Sequence, residues 1–297
     1  MSGQLKEVRE RIKSVNNTQQ ITKAMKMVSA AKLRRAQQAI TEMRPYAERL
    51  DLILKNILSS MDADDAGTSY GVERDIEQVL LVVVTSNRGL AGAFNSNIIK
   101  AAVAKLKSYS AQHAAGRVSI LCIGKKGFDY FRKRYNDVTI LEDYVDLFSD
   151  LSFENVARAS QLAMDGFESN DYDVVEVAYS KFKNAGTQES VCERFLPVTQ
   201  IDSESDTKPI SADYLFEPSK LELLEELVPT ILQTTFQRFV LDTHAGEHGA
   251  RMTAMDKATE NANDLLKELK ITYNKARQEA ITKELSEIVG GAAALAG

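Results

Sequence analysis

Hydrophobic positions recur at alternating steps of three and four over two long segments, one at each end of the chain. The first segment keeps a single register at Leu5, Val8, Ile12, Val15, Gln19, Thr22, Lys26, Ser29, Leu33, Ala36, Ile40, Met43, Ala47, Leu50, Leu54 and Ile57. The second repeats it at Leu241, Ala245, His248, Met252, Met255, Thr259, Ala262, Leu266, Leu269, Tyr273, Ala276 and Ala280. A heptad repeat of this length is typical of a coiled-coil helix. Because one helix enters the intervening segment and the other leaves it, we expect them to pair antiparallel.

The first repeat contains one polar stretch, formed by Gln19, Thr22, Lys26 and Ser29. Beside it lies a displaced apolar row of Ile21, Met25 and Val28. Such a displacement predicts that a different face of the helix turns toward its partner here.

The two helices are predicted to span residues 4–58 and 219–288. Pro229 lies inside the second, where proline removes a backbone donor, and we expect it to kink or restart the helix. The last eight residues are almost entirely Gly and Ala and indicate a frayed end.

The segment between the helices alternates apolar strand-like runs with helical patterns. Strands are predicted at residues 79–85, 118–123, 138–141 and 174–179, and helices at about 95–109, 127–135 and 153–167. This order is typical of a Rossmann-like, doubly wound α/β domain. Residues 190–198 follow a glycine turn and are predicted to form an antiparallel edge strand. The expected organisation is an N-terminal coiled-coil helix (1–58), an α/β domain (75–200) and a C-terminal coiled-coil helix (211–297).

The overall charge of −5 hides a segregation along the chain. Residues 1–58 hold 12 Lys and Arg against 5 Asp and Glu, and no acidic residue lies between Glu10 and Glu42. This basic helix is either a solvated face or a contact for an acidic protein surface, and less favourably for phosphates or anionic lipid. The sequence contains no secretory signal and no apolar run of bilayer length. Cys122 and Cys192 are expected to be buried free thiols in a reducing compartment.

Two glycine turns follow predicted strands, where phosphate-binding loops are found. TSNRGLAG (85–92) matches neither G-x-G-x-x-G nor G-x-x-x-x-G-K-[ST], and GKKG (124–127) is weaker still. We therefore interpret both as structural turns and predict no cofactor.

The segment HAGEH (244–248) literally matches the inverted zinc-protease pattern H-x-x-E-H. His248 occupies a coiled-coil position, however, and no third ligand is assignable, so no metal site is predicted. No catalytic triad is assignable either.

Four longer motifs resemble the gamma subunit family of F-type ATP synthases. They are IKSVNNTQQITKAMKMV (12–28), RGLAGAFN (88–95), DYLFEP (213–218) and YNKARQEAITKELSEIVGGA (273–292). The resemblance implies a non-catalytic central rotor shaft whose antiparallel coiled coil stands inside a ring of alternating alpha and beta subunits. It further implies a globular foot on the membrane c-ring beside the epsilon subunit. Proton flow, or sodium flow in some relatives, would then drive rotation.

The same resemblance implies two sets of contact residues and a location. The beta-subunit contacts are Met25, Lys26, Arg277, Gln278, Thr282 and Glu284, and the contacts of the foot with the c-ring and epsilon are Tyr214, Phe216 and Glu217. It places the chain peripherally at the cytoplasmic face of a bacterial inner membrane, bound only through partners, with no nucleic acid and no small-molecule substrate. It also places the last eight residues in an apolar bearing of the ring.

Two other functions fit the pattern of residues alone. A coiled-coil adaptor or tether unrelated to ATP synthase would have the same composition and periodicity. An α/β enzyme with helical arms would require a pocket with convergent polar groups, and the sequence identifies none.

Overall fold

The computed structural model describes residues 3–59, 69–198 and 220–296. Its helices are α1 (Gly3–Ser59), α2 (Phe94–Ser108), α3 (Ser110–Ala114), α4 (Lys125–Arg134), α5 (Phe153–Glu168) and α6 (Lys220–Ala296). Its strands are β1 (Val79–Val84), β2 (Val118–Ile123), β3 (Thr139–Leu141), β4 (Val174–Asn184) and β5 (Thr187–Leu196). Short 3-10 turns lie at Ser69–Gly71 and Leu147–Ser149. Apart from the short α3 and the two 3-10 turns, each element corresponds to a predicted one.

The five strands form one sheet in the order β3-β2-β1-β4-β5. Strand β1 pairs in parallel with β2 and β4, and β2 pairs in parallel with β3. The predicted antiparallel edge strand is confirmed, because β5 pairs with β4 as a hairpin. Strand β4 is longer than predicted. Its polar second half pairs with β5, and the Asn184 side chain closes the turn by accepting the N–H groups of Gly186 and Thr187.

Apolar clusters cover both faces of the sheet, as the doubly wound prediction requires. One cluster joins β1 and β2 to α2 and α4 through fully buried Ile98 and Phe131. The other joins the sheet to α5 and α6 through Phe167, Tyr179 and Phe236. The carboxylate of Glu176 in β4 is fully buried on the α2 side of the sheet. It accepts hydrogen bonds from Tyr109 (2.9 Å) and Lys105 (2.9 Å).

The chain divides into two compact units, each containing part of α1 and part of α6. The first consists of Met1–Ser29 and Arg251–Gly297, and the second of Ala30–Ala250. In the second unit, Leu50 of α1 belongs to the same apolar cluster as Val228, Ile231 and Leu232 of α6.

Helix α6 approaches the sheet closely where two of its residues lack a side chain. A Cβ atom on Gly246 would lie 3.0 Å from the Ser180 hydroxyl and 3.1 Å from the Phe94 ring. One on Gly249 would lie only 2.8 Å from the backbone carbonyl oxygen of Ala185. Between strand and helix, Thr243 accepts the Ser180 N–H through its hydroxyl (3.2 Å). Gly249 therefore allows a close backbone contact between α6 and the β4–β5 hairpin, and Gly246 lies in tight contact with side chains.

Of the two outcomes expected at Pro229, the restart is wrong, because α6 is continuous from Lys220 to Ala296. The carbonyl left without a donor is that of exposed Glu225, where water can bond it. The Gly-Ala tail is helical through Ala296 rather than frayed from Gly290.

Replacing Gly249 with Ala is expected to destabilise the chain by about 1–3 kcal/mol, because the new methyl group would overlap a backbone atom that has no side-chain freedom to move. Thermal unfolding measures this as a lowered Tm. Gly290→Ala is the matched control, since no atom lies within 4 Å of the added Cβ and alanine favours the helix. Equal Tm values for the two variants would contradict the close-packing argument.

Candidate functional site

The carboxyl edge of the parallel strands is where doubly wound proteins bind ligands. Here the start of α4 follows β2 at this edge. The first four N–H groups of a helix lack partners within it and are the groups that bind phosphate. Those of residues 124–127 donate, in chain order, to the Val145 carbonyl (3.0 Å), the Asn87 side chain (3.1 Å), the Ser86 carbonyl (3.1 Å) and the Thr85 hydroxyl (2.8 Å). All four donors are already used inside the fold.

The two glycine turns also pack directly against each other. Gly124 has a φ of +97°, and a Cβ there would lie 2.0 Å from the carbonyl oxygen of Thr85. The Ser86 N–H donates to the Asn95 side chain at the start of α2. The Ser86 hydroxyl donates to the Arg88 carbonyl within the turn 85–92. The edge is thus filled by the protein's own backbone, which supports the interpretation of both glycine segments as structural turns.

The two histidines of the HAGEH segment contact each other. Their Nε2 atoms are 3.0 Å apart, so one ring donates to the other, and the His244 ring packs on Phe148. His248 is buried, in agreement with its coiled-coil position. Among residues 3–59, 69–198 and 220–296 no three His, Cys, Asp or Glu side chains are grouped to hold a metal.

Asp242 of α6 is a half-buried carboxylate at the contact with the β4–β5 hairpin. Burial raises its pKa to about 6, while Arg238, the Phe182 N–H and Lys181 favour the charged form and Glu193 opposes it. The charged form is therefore disfavoured where α6 meets the sheet.

The first compact unit is an antiparallel pair of helical segments. From α1, Leu5, Thr22 and Ser29 are buried along the predicted repeat, and Val8, Ile12 and Val15 are half-buried. From α6 the buried residues are Met255, Ala262, Leu266, Leu269 and Ala276. Near the start of α1, the Arg9 guanidinium donates to the Tyr273 hydroxyl (3.0 Å). The predicted coiled-coil pairing is confirmed within this unit.

The polar stretch of the repeat stays inside the helix pair because α6 supplies a partner for each long polar side chain. Thr22 and Thr259 share a hydrogen bond of 2.8 Å between their hydroxyls. Lys26 forms an ion pair with Asp256, and Gln19 donates to Asn263. We call these three contacts the polar seam.

The predicted change of face is therefore wrong. Thr22 and Ser29 are only 8% and 3% exposed, whereas Ile21 and Val28 are 59% and 57% exposed. The apolar row that was expected to turn inward faces solvent, and Met25 is half-buried at its centre.

The predicted contact residues lie in two places within this unit. Met25 and Lys26 are on α1, where Lys26 is half-exposed and its ammonium is held by Asp256. Arg277, Gln278, Thr282 and Glu284 are all exposed on α6, just beyond buried Ala276. Tyr214, Phe216 and Glu217 lie outside the described residues.

The end of α6 also carries an apolar stripe that the sequence analysis did not identify. Ile281, Leu285, Ile288 and Val289 are between 50% and 70% exposed. Their spacing of four, three and one places them on one side of a helix. That spacing, in a segment past the end of the heptad repeat, was the available signal.

No helix in the described ranges has the length and apolar character needed to cross a membrane.

Comparison with known proteins assigns the chain to a family. A family model described as ATP synthase matches residues 4–295. The ATP synthase gamma chain of Cytophaga hutchinsonii is 54% identical over 98% of this chain and 98% of its own length. The chain belongs to the ATP synthase gamma chain family. The gamma chain of Flavobacterium psychrophilum is 50% identical, with 99% of each chain covered.

Solved structures agree with this gamma chain assignment. A chain from the Euglena gracilis mitochondrial ATP synthase, in a structure of OSCP, F1 and the c-ring, has a TM-score of 0.66 and 25% identity, covering 99% of this chain and 95% of that one. A Tetrahymena thermophila chain from a central stalk and c-ring structure, with a TM-score of 0.54 and 21% identity, shares the fold. The adaptor unrelated to ATP synthase is thereby excluded.

We expect the isolated gamma chain to bind no ATP at micromolar concentrations, because the amides at the start of α4 are already bonded within the fold. Calorimetric titration of the full chain with ATP measures this. Saturable micromolar binding that is lost on removing the Lys126 side chain would contradict the structural interpretation of these turns.

Replacing Asp242 with Asn should stabilise the chain at neutral pH. A carboxyl whose pKa is higher in the folded state stabilises the fold below its unfolded pKa, near 3.8, and loses this contribution as pH rises through about 6. We expect the variant to gain about 1–2 kcal/mol at pH 7.5, less than the shift alone would give, because the side chain is only half-buried. Chemical denaturation at pH 4 and pH 7.5 tests the sign. A gain as large at pH 4 as at pH 7.5 would contradict it.

Proposed function

We propose that this chain is the central rotor shaft of an F-type ATP synthase. In this proposal, ion flow through a membrane c-ring turns the chain and drives ATP synthesis, or hydrolysis in reverse, in the beta subunits. The chain itself is non-catalytic. Family membership over residues 4–295 supports the assignment, and the internally bonded carboxyl edge of the sheet supports the absence of chemistry on this chain.

The observation that carries the proposal is the exposed end of α6. After Ala276 the helix continues for 20 residues, which is about 30 Å. Residues 281–292 are all exposed. The four polar residues Arg277, Gln278, Thr282 and Glu284 lie next to the apolar stripe. A slender helix with both kinds of group suits enclosure by a surrounding ring, with charge-assisted hydrogen bonds of about 1.5–3 kcal/mol each.

Further partners are proposed from the relatives and from charge. The Euglena gracilis chain belongs to an assembly with F1 and the c-ring, so we propose alpha and beta subunits, epsilon and the c-ring as partners. The exposed basic residues of α1 in the first unit, Arg11 and Lys23, suit an acidic surface on the ring, and so do Lys32, Arg34 and Arg35 in the second unit. Tyr214, Phe216 and Glu217 remain the proposed foot contacts. In the division proposed, residues 1–58 and 211–297 form the shaft and 75–200 the foot.

The proposed location follows from these partners. The chain would lie peripherally at the cytoplasmic face of a bacterial inner membrane, with protons as the coupling ion.

The polar set is tested in the assembled complex. Replacing Arg277, Gln278, Thr282 and Glu284 together with Ala should reduce proton-driven ATP synthesis at least about tenfold, the equivalent of losing 1.4 kcal/mol or more of coupling interaction. Deleting residues 290–297 should preserve much of it, because the Gly-Gly-Ala segment offers little side-chain contact.

The matched control replaces Lys275, Lys283 and Glu287, equally exposed charged residues of the same helix, with Ala. Alanine favours the helix at every replaced position, so circular dichroism should show unchanged helical content in both variants. A quadruple variant that assembles and couples like the wild type would overturn the assignment of these contacts.

A further inference from the structure

Two rows of α1 compete for the same place in the first compact unit. Residues 19–29 offer either a polar row, Gln19, Thr22, Lys26 and Ser29, or an apolar row, Ile21, Met25 and Val28. The structure places the polar row inside and leaves Ile21 and Val28 more than half exposed.

Apolar contact with α6 does not explain why the polar row of α1, rather than the apolar row, lies inside the helix pair. Met255 and Ala262 are both buried against α1. Turning α1 by about a quarter of a turn, which is roughly one residue at 3.6 per turn, would bring the apolar row toward them. Removal of apolar surface from water therefore favours the rotated arrangement.

What opposes the rotation is the polar seam. The contacts Gln19–Asn263, Thr22–Thr259 and Lys26–Asp256 step forward along α1 and backward along α6, each time by three or four residues. They therefore form a continuous ladder in one rotational setting. In the rotated setting Thr259 and Asp256 would face apolar side chains, and polar groups that lose their partners on burial are costly.

We infer that the polar seam sets the rotation of α1 about its own axis, and that Thr22, Lys26, Thr259 and Asp256 thereby keep Ile21 and Val28 facing outward. These four residues act by orienting α1, and Ile21 and Val28 stay exposed as a result. The inference concerns the chain alone and does not rest on the proposed function, although Met25 is one of the residues proposed to contact beta.

The seam also explains why a lysine can occupy a coiled-coil position here. Its ammonium reaches Asp256 at the edge of the helix pair, where both side chains are half-exposed, so neither charge is fully removed from water.

The test measures the reactivity of a cysteine at Val28 in the full chain. Val28→Cys should react quickly with a maleimide dye. Adding Asp256→Leu and Thr259→Leu should slow labelling about tenfold by burying this position. Labelling is expected to be slow at the native Cys122 and Cys192, because burial raises the pKa of both thiols to about 12. Rates are normalised to the measured thiol pKa of each variant, so that a change in local charge is not counted as burial.

Asp264→Leu is the matched control. Asp264 is an exposed residue of the same helix that pairs locally with Lys267, and its replacement should leave Val28→Cys labelling fast.

A second series of variants keeps charged side chains in the polar seam. Lys26→Asp alone places two carboxylates together, and their repulsion should favour the rotated arrangement and slow labelling. Adding Asp256→Lys restores a pair of opposite charges and should restore the fast rate.

Fast labelling in the Asp256→Leu/Thr259→Leu chain, or an unchanged rate with Lys26→Asp alone, would overturn the inference. Either result would mean that the buried layers on both sides, such as Leu5 and Leu33, set the rotation without the polar seam. Circular dichroism identifies an unfolded double-leucine chain, in which case the charge-exchange series decides.

Discussion

The pairing of α1 with α6 along a repeat of three and four residues is the constraint on which the other features depend. Isolated helices gain little stability from their own hydrogen bonds, so a helix of 57 residues persists only if one face is covered. Buried leucines of α1 such as Leu5, Leu33 and Leu50 each contribute roughly 1.5–3 kcal/mol through their burial. Because α6 is a single helix that belongs to both compact units, the same element covers α1 and packs on the sheet.

The sheet of the second unit has the topology of a ligand-binding fold, but its glycine turns pack against each other. In a phosphate-binding loop, glycine lets the ligand approach the backbone. At Gly124 it lets the Thr85 backbone approach instead, and the amides of α4 are bonded to neighbouring residues. The Rossmann-like architecture thus serves as a rigid scaffold. This agrees with a shaft role, because the backbone donors that could bind a ligand at this edge are already bonded within the fold.

The spacing of hydrophobic residues predicted most of the fold, because the positions that become buried are the ones that must be hydrophobic. Every seam position from Leu5 to Leu50 is buried or half-buried, and the apolar runs form the parallel strands. The rotation of residues 19–29 was not predictable, since the deciding side chains, Asp256 and Thr259, lie more than 200 residues away in sequence. Glu176 was equally hidden within the apolar run 174–179, where its partners Lys105 and Tyr109 come from α2 and its end. At the end of α6, the apolar spacing of Ile281, Leu285 and Ile288 was readable but was not used.

The exposed end of α6 has a thermodynamic consequence. Residues 281–292 are all exposed, so their helix is stabilised by little beyond its own hydrogen bonds, and Gly290 and Gly291 each weaken it by about 1 kcal/mol relative to alanine. Any enclosing partner binds the helical form and not the frayed one, so its binding free energy also stabilises the helix. Assembly and local folding are then linked equilibria. The order of the last turns of this helix consequently reports on whether the surrounding complex is complete.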